Sequence, residues 1–134
     1  MKRIDAIRYG FIGYGLVMAT GIIFVFIPAS DMVRIGMLCD LPPFEITPVF
    51  EYMARGLSFV AFLSGLLMFY FAFHLAEQQR LIRLIGWTAL AALPVIVWIH
   101  IEVETPAWWL AGDVLGVVLL WLLCFLAGTC LKQV

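Results

Sequence analysis

Residues 107–131 read AWWLAGDVLGVVLLWLLCFLAGTCL, an apolar run with one charged residue, Asp113. A helix rises about 1.5 Å per residue, so about 20 such residues cross a hydrocarbon core about 30 Å thick. The run lacks the alternation of polar and apolar residues that marks an outer-membrane strand. In lipid the backbone must bond within its own segment, so a transmembrane helix is expected. Three further stretches have the same character, at about 9–28, 52–75 and 81–101. The fold class expected is all-α: a four-span antiparallel helical bundle forming one domain over residues 1–134.

Composition narrows the function classes. The 134 residues are 65% hydrophobic and only 13% charged, with a mean hydropathy of +1.08. Soluble domains carry roughly 45–50% apolar and about 25% charged residues, so a water-soluble monomer is excluded. So is disorder, which needs low hydrophobicity and high net charge. A net charge of −1 excludes a nucleic-acid binder that works through a basic field. The partner expected first is the lipid bilayer. Lys2, Arg3 and Arg8 precede the first apolar stretch, as in a signal peptide, but that stretch exceeds the usual 7–15-residue signal core. It is expected to be a retained span.

Charge sets the expected orientation. Lys and Arg accumulate in cytoplasmic segments near span ends, and acidic residues matter little. Lys2, Arg3 and Arg8 precede span one, Arg80 and Arg83 lie between spans two and three, and Lys132 follows span four. Four spans put these three segments on one side, and all three are basic. Both termini are therefore expected in the cytoplasm. The long connection 29–51 would then lie outside; it carries Pro42, Pro43 and Pro48, with Asp31, Asp40, Glu45 and Glu51 against Arg34.

Lipid supplies no hydrophobic drive between helices, so close approach depends on small residues. Gly15 and Ala19, Ala54 and Ser58, Ala61 and Gly65, and Gly112 and Gly116 are all spaced i, i+4. Packing inside one chain is favoured over a homodimer face. Pro94 is expected to kink span three, because it removes one backbone donor. Trp98, Trp108 and Trp109 mark the outer interface, and Trp87 lies nearer the inner one. Cys39, Cys124 and Cys130 form no CxxC motif, which disfavours a thiol oxidoreductase.

Ionisable residues within a membrane are functional candidates by default, and here they gather on one side. Glu51 and Arg55 lie at the start of span two, His100 and Glu102 at the end of span three, Glu104 just beyond, and Asp113 about 9 Å into span four. Together these six are expected to form one polar cluster. Its simplest use is a structural tie from Arg55 to Asp113. The other uses are a small-ligand, lipid-headgroup or proton site, and a metal site through His100 and carboxylates. No HxxxH or ExxH pair supports a metal, so none is expected, nor is any cofactor identified. One haem cannot use both His74 and His100, which belong to opposite sides. GxSxG, P-loop, HExxH and dinucleotide fingerprints are absent, so no catalytic residue is assigned.

Two short motifs, Ala54-Arg55-Gly56-Leu57 opening span two and Trp109-Leu110-Ala111-Gly112-Asp113 opening span four, together with the four-span layout, resemble the small four-helix bacterial inner-membrane families, DoxX-like proteins among them. The resemblance implies a multi-pass protein of the bacterial inner (plasma) membrane, and some members of such families are partners in membrane redox complexes. It transfers no functional residue. The function expected is a non-enzymatic integral-membrane subunit or accessory protein, present as a homo-oligomer or within a larger membrane complex. An oligomeric small-molecule or proton transporter is the first alternative. A lipid- or quinone-active membrane enzyme is the second.

Overall fold

The computed structural model describes residues 2–41 and 45–130, which are all-α. Pro42, Pro43 and Lys132 lie outside the described residues. The helices are α1 (Lys2–Ala19), α2 (Gly21–Phe26), α3 (Ala29–Leu38), α4 (Pro48–Phe73), α5 (Gln79–Glu102) and α6 (Ala107–Cys130). Four segments are long and apolar enough to cross a membrane: Arg3–Phe26, which joins α1 and α2, then Pro48–Phe73, Gln79–Glu102 and Ala107–Cys130. In each of them only 11–22% of the most apolar window is buried within the protein. Trp98, Ile101, Tyr52 and Leu57 are all exposed. Large contiguous apolar surface is rare on soluble monomers, and here lipid covers it.

Local chemistry explains the helix ends. The Thr47 hydroxyl accepts the Phe50 amide at 3.1 Å, an N-cap with Pro48 at the first helical position, where its missing donor costs nothing. Helix α4 therefore starts four residues before the apolar stretch does, and Arg55 lies two turns in rather than in the first. The connection 29–51 contains a helix, α3, with Asp31 in its first turn, where the helix dipole favours negative charge. Helices α3 and α5 end in the same way. Asp40 (φ 57°) and Glu104 (φ 53°) are left-handed. The Leu41 amide reaches the Gly36 carbonyl at 3.0 Å, and the Thr105 amide reaches the His100 carbonyl at 3.1 Å. These are Schellman caps with carboxylic residues in the position that usually holds glycine. Glu104 is thus outside the helix, and the i, i+4 spacing to His100 does not place it on the same face. Helix α5 continues through Pro94.

The chain forms two compact units: Gly13–Phe69, and Met1–Ile12 with Tyr70–Val134. In the first, small residues bring α1 and α2 against α4. A Cβ on Gly65 would stand 2.7 Å from both the Gly15 carbonyl oxygen and the Ala19 nitrogen, and one on Gly21 would stand 2.5 Å from the Ser58 carbonyl oxygen. In the second unit Phe11 is fully buried and meets Phe71 edge-on at 6.4 Å. Ile82, Cys124 and Ala127 are buried in the same unit, and α5 packs along α6, with a Cβ on Gly86 only 2.6 Å from that of Cys124. Within this unit an added Cβ on Gly112 has nothing within 4 Å, so α5 does not pack against that half of the GxxxG pair.

Gly65→Ala should lower the stability in detergent by about 1–3 kcal/mol, since the added carbon meets backbone that cannot yield. Gly13→Ala, with nothing within 4 Å, should leave it unchanged or raise it by up to about 1 kcal/mol. Thermal unfolding of the two variants checks the contrast.

Candidate functional site

Two polar assemblies contain four of the six residues singled out by sequence. The first lies in the 13–69 unit. Glu51 and Arg55 share a face of α4, one turn apart. Arg55 Nε and Nη2 both donate to Glu51 Oε1, at 3.0 and 2.7 Å. Nη2 also donates to the Ile27 carbonyl at 3.1 Å, and Nη1 to the Val25 carbonyl. Pro28 ends α2, and the last carbonyls of a helix have no partner in their own helix. Arg55 supplies one. A cation at a helix C-terminus also complements its dipole.

The second assembly lies in the other unit. His100 is buried, 8% exposed, at the end of α5. Its Nε2 bonds Asp113 Oδ2 of α6 at 2.8 Å, and its Nδ1 meets the Thr105 hydroxyl. With Nε2–H donating to Asp113, the neutral ring accepts at Nδ1 from the Thr105 O–H; the imidazolium would donate at both nitrogens. Either state is satisfied. The Trp109 ring lies edge-on to His100, 6.3 Å between centroids, one turn before Asp113 on α6. Asp113 itself is 49% exposed. Two turns into an apolar helix, a carboxylate needs a partner, and the imidazole is that partner.

Within its own unit Arg55 takes Glu51 and two carbonyls as partners, and Asp113 takes His100. Glu102 and Glu104 are exposed and join neither assembly. Thr105 was missed by sequence reasoning. Its signal was its place just before Pro106, where the cap of α5 folds back over His100. His74, at the other end of the unit, bonds the Tyr70 carbonyl through Nδ1 at 2.9 Å and stacks on the Tyr70 ring at 4.3 Å. Among the described residues, no three His, Cys, Asp or Glu side chains converge as metal ligands.

Comparison with protein-family models, with curated proteins and with solved structures finds no match to this chain. The fold itself defines the class: a small polytopic membrane protein in contact with the lipid bilayer.

His100→Leu and Asp113→Leu should each destabilise the protein, because each leaves one polar partner unpaired. The double variant should be less damaging than the sum of the singles by about 0.5–3 kcal/mol. Thermal shifts of all four proteins in detergent measure the coupling, and strict additivity would show that the bond contributes nothing.

Proposed function

We infer that this protein is a non-enzymatic accessory subunit of a bacterial inner membrane, with both termini cytoplasmic. The reading is carried by the occupancy of its polar groups. Both nitrogens of His100 are engaged, and the Arg55 guanidinium is spread over Glu51 and two carbonyls. Groups held in this way tie helices together, whereas a catalytic base must be free to reach a substrate proton.

The orientation is supported by the basic end of one unit. Arg8 Nε donates to the Ala72 carbonyl at 3.1 Å, and Gln79 Nε2 to the Gly128 carbonyl at 3.0 Å. The start of α1, the end of α4, the start of α5 and the end of α6 thereby meet beside Arg80 and Arg83. Such a concentration of cations favours the cytoplasmic side. The likeness to DoxX-like and related families supports the same membrane at the level of architecture.

One observation favours the transporter alternative. Asp113 Oδ1 has no bond among the described residues, and the side chain is half exposed, so it is open to a proton or a cation. That reading requires a proteoliposome flux abolished by Asp113→Asn.

The accessory role and the orientation are tested together. Spheroplasts carrying a tagged chain with Cys39 as its only cysteine (Cys124→Ala, Cys130→Ala) are treated with a membrane-impermeant maleimide, then extracted in mild detergent for native mass spectrometry. Expected are labelling of Cys39 without membrane disruption and a complex holding a different protein at a fixed ratio. Labelling only after disruption contradicts the orientation. A chain that is always alone, or only with copies of itself, contradicts the accessory role.

A further inference from the structure

A cleft within the Tyr70–Val134 unit lies between the start of α5 and the end of α6, and its wall includes neither His100 nor Asp113. Its volume is about 200 Å³, and Arg83, Trp87, Trp121, Cys124, Phe125 and Gly128 form most of its wall. The rings make a continuous apolar face. Trp87 meets Trp121 edge-on at 6.1 Å, and Trp121 stacks on Phe125 at 5.6 Å. Gly86 and Gly128 keep α5 and α6 close on either side of Cys124. A Cβ on Gly128 would come within 3.3 Å of Arg83 Nε, so the missing side chain is what lets the guanidinium lie over α6.

Arg83 distinguishes this cleft from ordinary helix packing. Arg8 and Arg55 are each held by a carbonyl or carboxylate, but Arg83 has no hydrogen bond or ion pair among the described residues. A guanidinium is a fork of donors matched to phosphate, and no carboxylate lines the cleft to neutralise it. Closed ligand pockets measure about 300–1,000 Å³, so this cleft accommodates only part of its occupant. Trp87 and Phe125 are about half exposed, at 52% and 46%, leaving the aromatic face open sideways, where lipid surrounds the spans. A ligand with a negative head and an apolar body that continues into the bilayer suits this site. Basic pockets between transmembrane helices take lipid phosphates in the same way.

We propose that the cleft binds one anionic phospholipid, its phosphate on the Arg83 guanidinium and an acyl chain along Trp87, Trp121 and Phe125. The proposal rests on the membrane-spanning fold, and not on the accessory role or on the side where the termini lie.

The test uses the full chain in detergent with Trp98, Trp108 and Trp109 changed to Phe, so that only Trp87 and Trp121 fluoresce. Brominated phosphatidylglycerol and phosphatidylcholine with identical acyl chains are titrated in. Expected is quenching by the anionic lipid at a roughly tenfold lower mole fraction, the scale of one charged hydrogen bond. Arg83→Gln should remove most of this preference and Arg83→Lys should retain part of it. Arg80→Gln should leave it, which separates the cleft from general attraction to a basic surface. Equal quenching by the two lipids overturns the proposal, whether bulk lipid or choline stacked on the rings is responsible. So does a preference that survives Arg83→Gln in a protein of unchanged melting temperature. Relief of quenching by inorganic phosphate would make this a soluble-anion site, which also overturns it.

Discussion

Inside hydrocarbon a polar group has only the protein to bond to, and an unsatisfied one costs several kcal/mol. That constraint shapes this chain more than any other. No buried side-chain nitrogen or oxygen among the described residues lacks a hydrogen-bond partner. Arg55 closes the carbonyls left open where Pro28 ends α2. His100 stands between Asp113 and Thr105. At the basic end Arg8 and Gln79 cap carbonyls of α4 and α6. These bonds fall mostly where spans end or bend, because there the helical ladder stops and backbone groups are left over.

Between the ends, contact relies on shape. With apolar surroundings on every side, burying leucine against leucine gains little over burying it in lipid. The helices approach instead where a side chain is missing, at Gly15, Gly21, Gly65 and Gly86. Although Phe11, Phe71 and Ile82 are buried, many large side chains point outward. This inverts the pattern of a soluble protein and accounts for the exposed Trp98, Tyr52 and Leu57. Small residues make the contact, and polar residues at the ends set which helices stay together.

Much of this was legible in the sequence. Length and hydropathy identified four spans, and i, i+4 spacing picked out both Gly15 with Ala19 and Ala61 with Gly65. The Glu51–Arg55 pair followed from the same periodicity. Partner choice across helices did not follow. Asp113 takes His100 of α5 as its partner, and lateral neighbours of this kind depend on how helices pack, of which depth in the membrane says nothing. Thr105 gave little warning, since its role comes from a left-handed turn at Glu104, a position where glycine would have been the signal. Helix α3 was hidden because it lies in a connection rich in charge and proline. The early start of α4 was legible in Thr47-Pro48, although the end of the apolar stretch outweighed it.

The claim that buried polar side chains find their partners inside the protein is tested most directly at His100. Solid-state NMR in lipid bilayers, with ¹⁵N in the histidine rings and ¹³C in the aspartate carboxyls, measures the dipolar coupling between His100 Nε2 and Asp113. The account predicts a separation of about 3.5 Å, as expected for a direct N–H···O bond. It also predicts that the coupling persists when the lipid composition is changed. A ring with no carboxyl carbon in range, bonded only to water or to lipid, would contradict it.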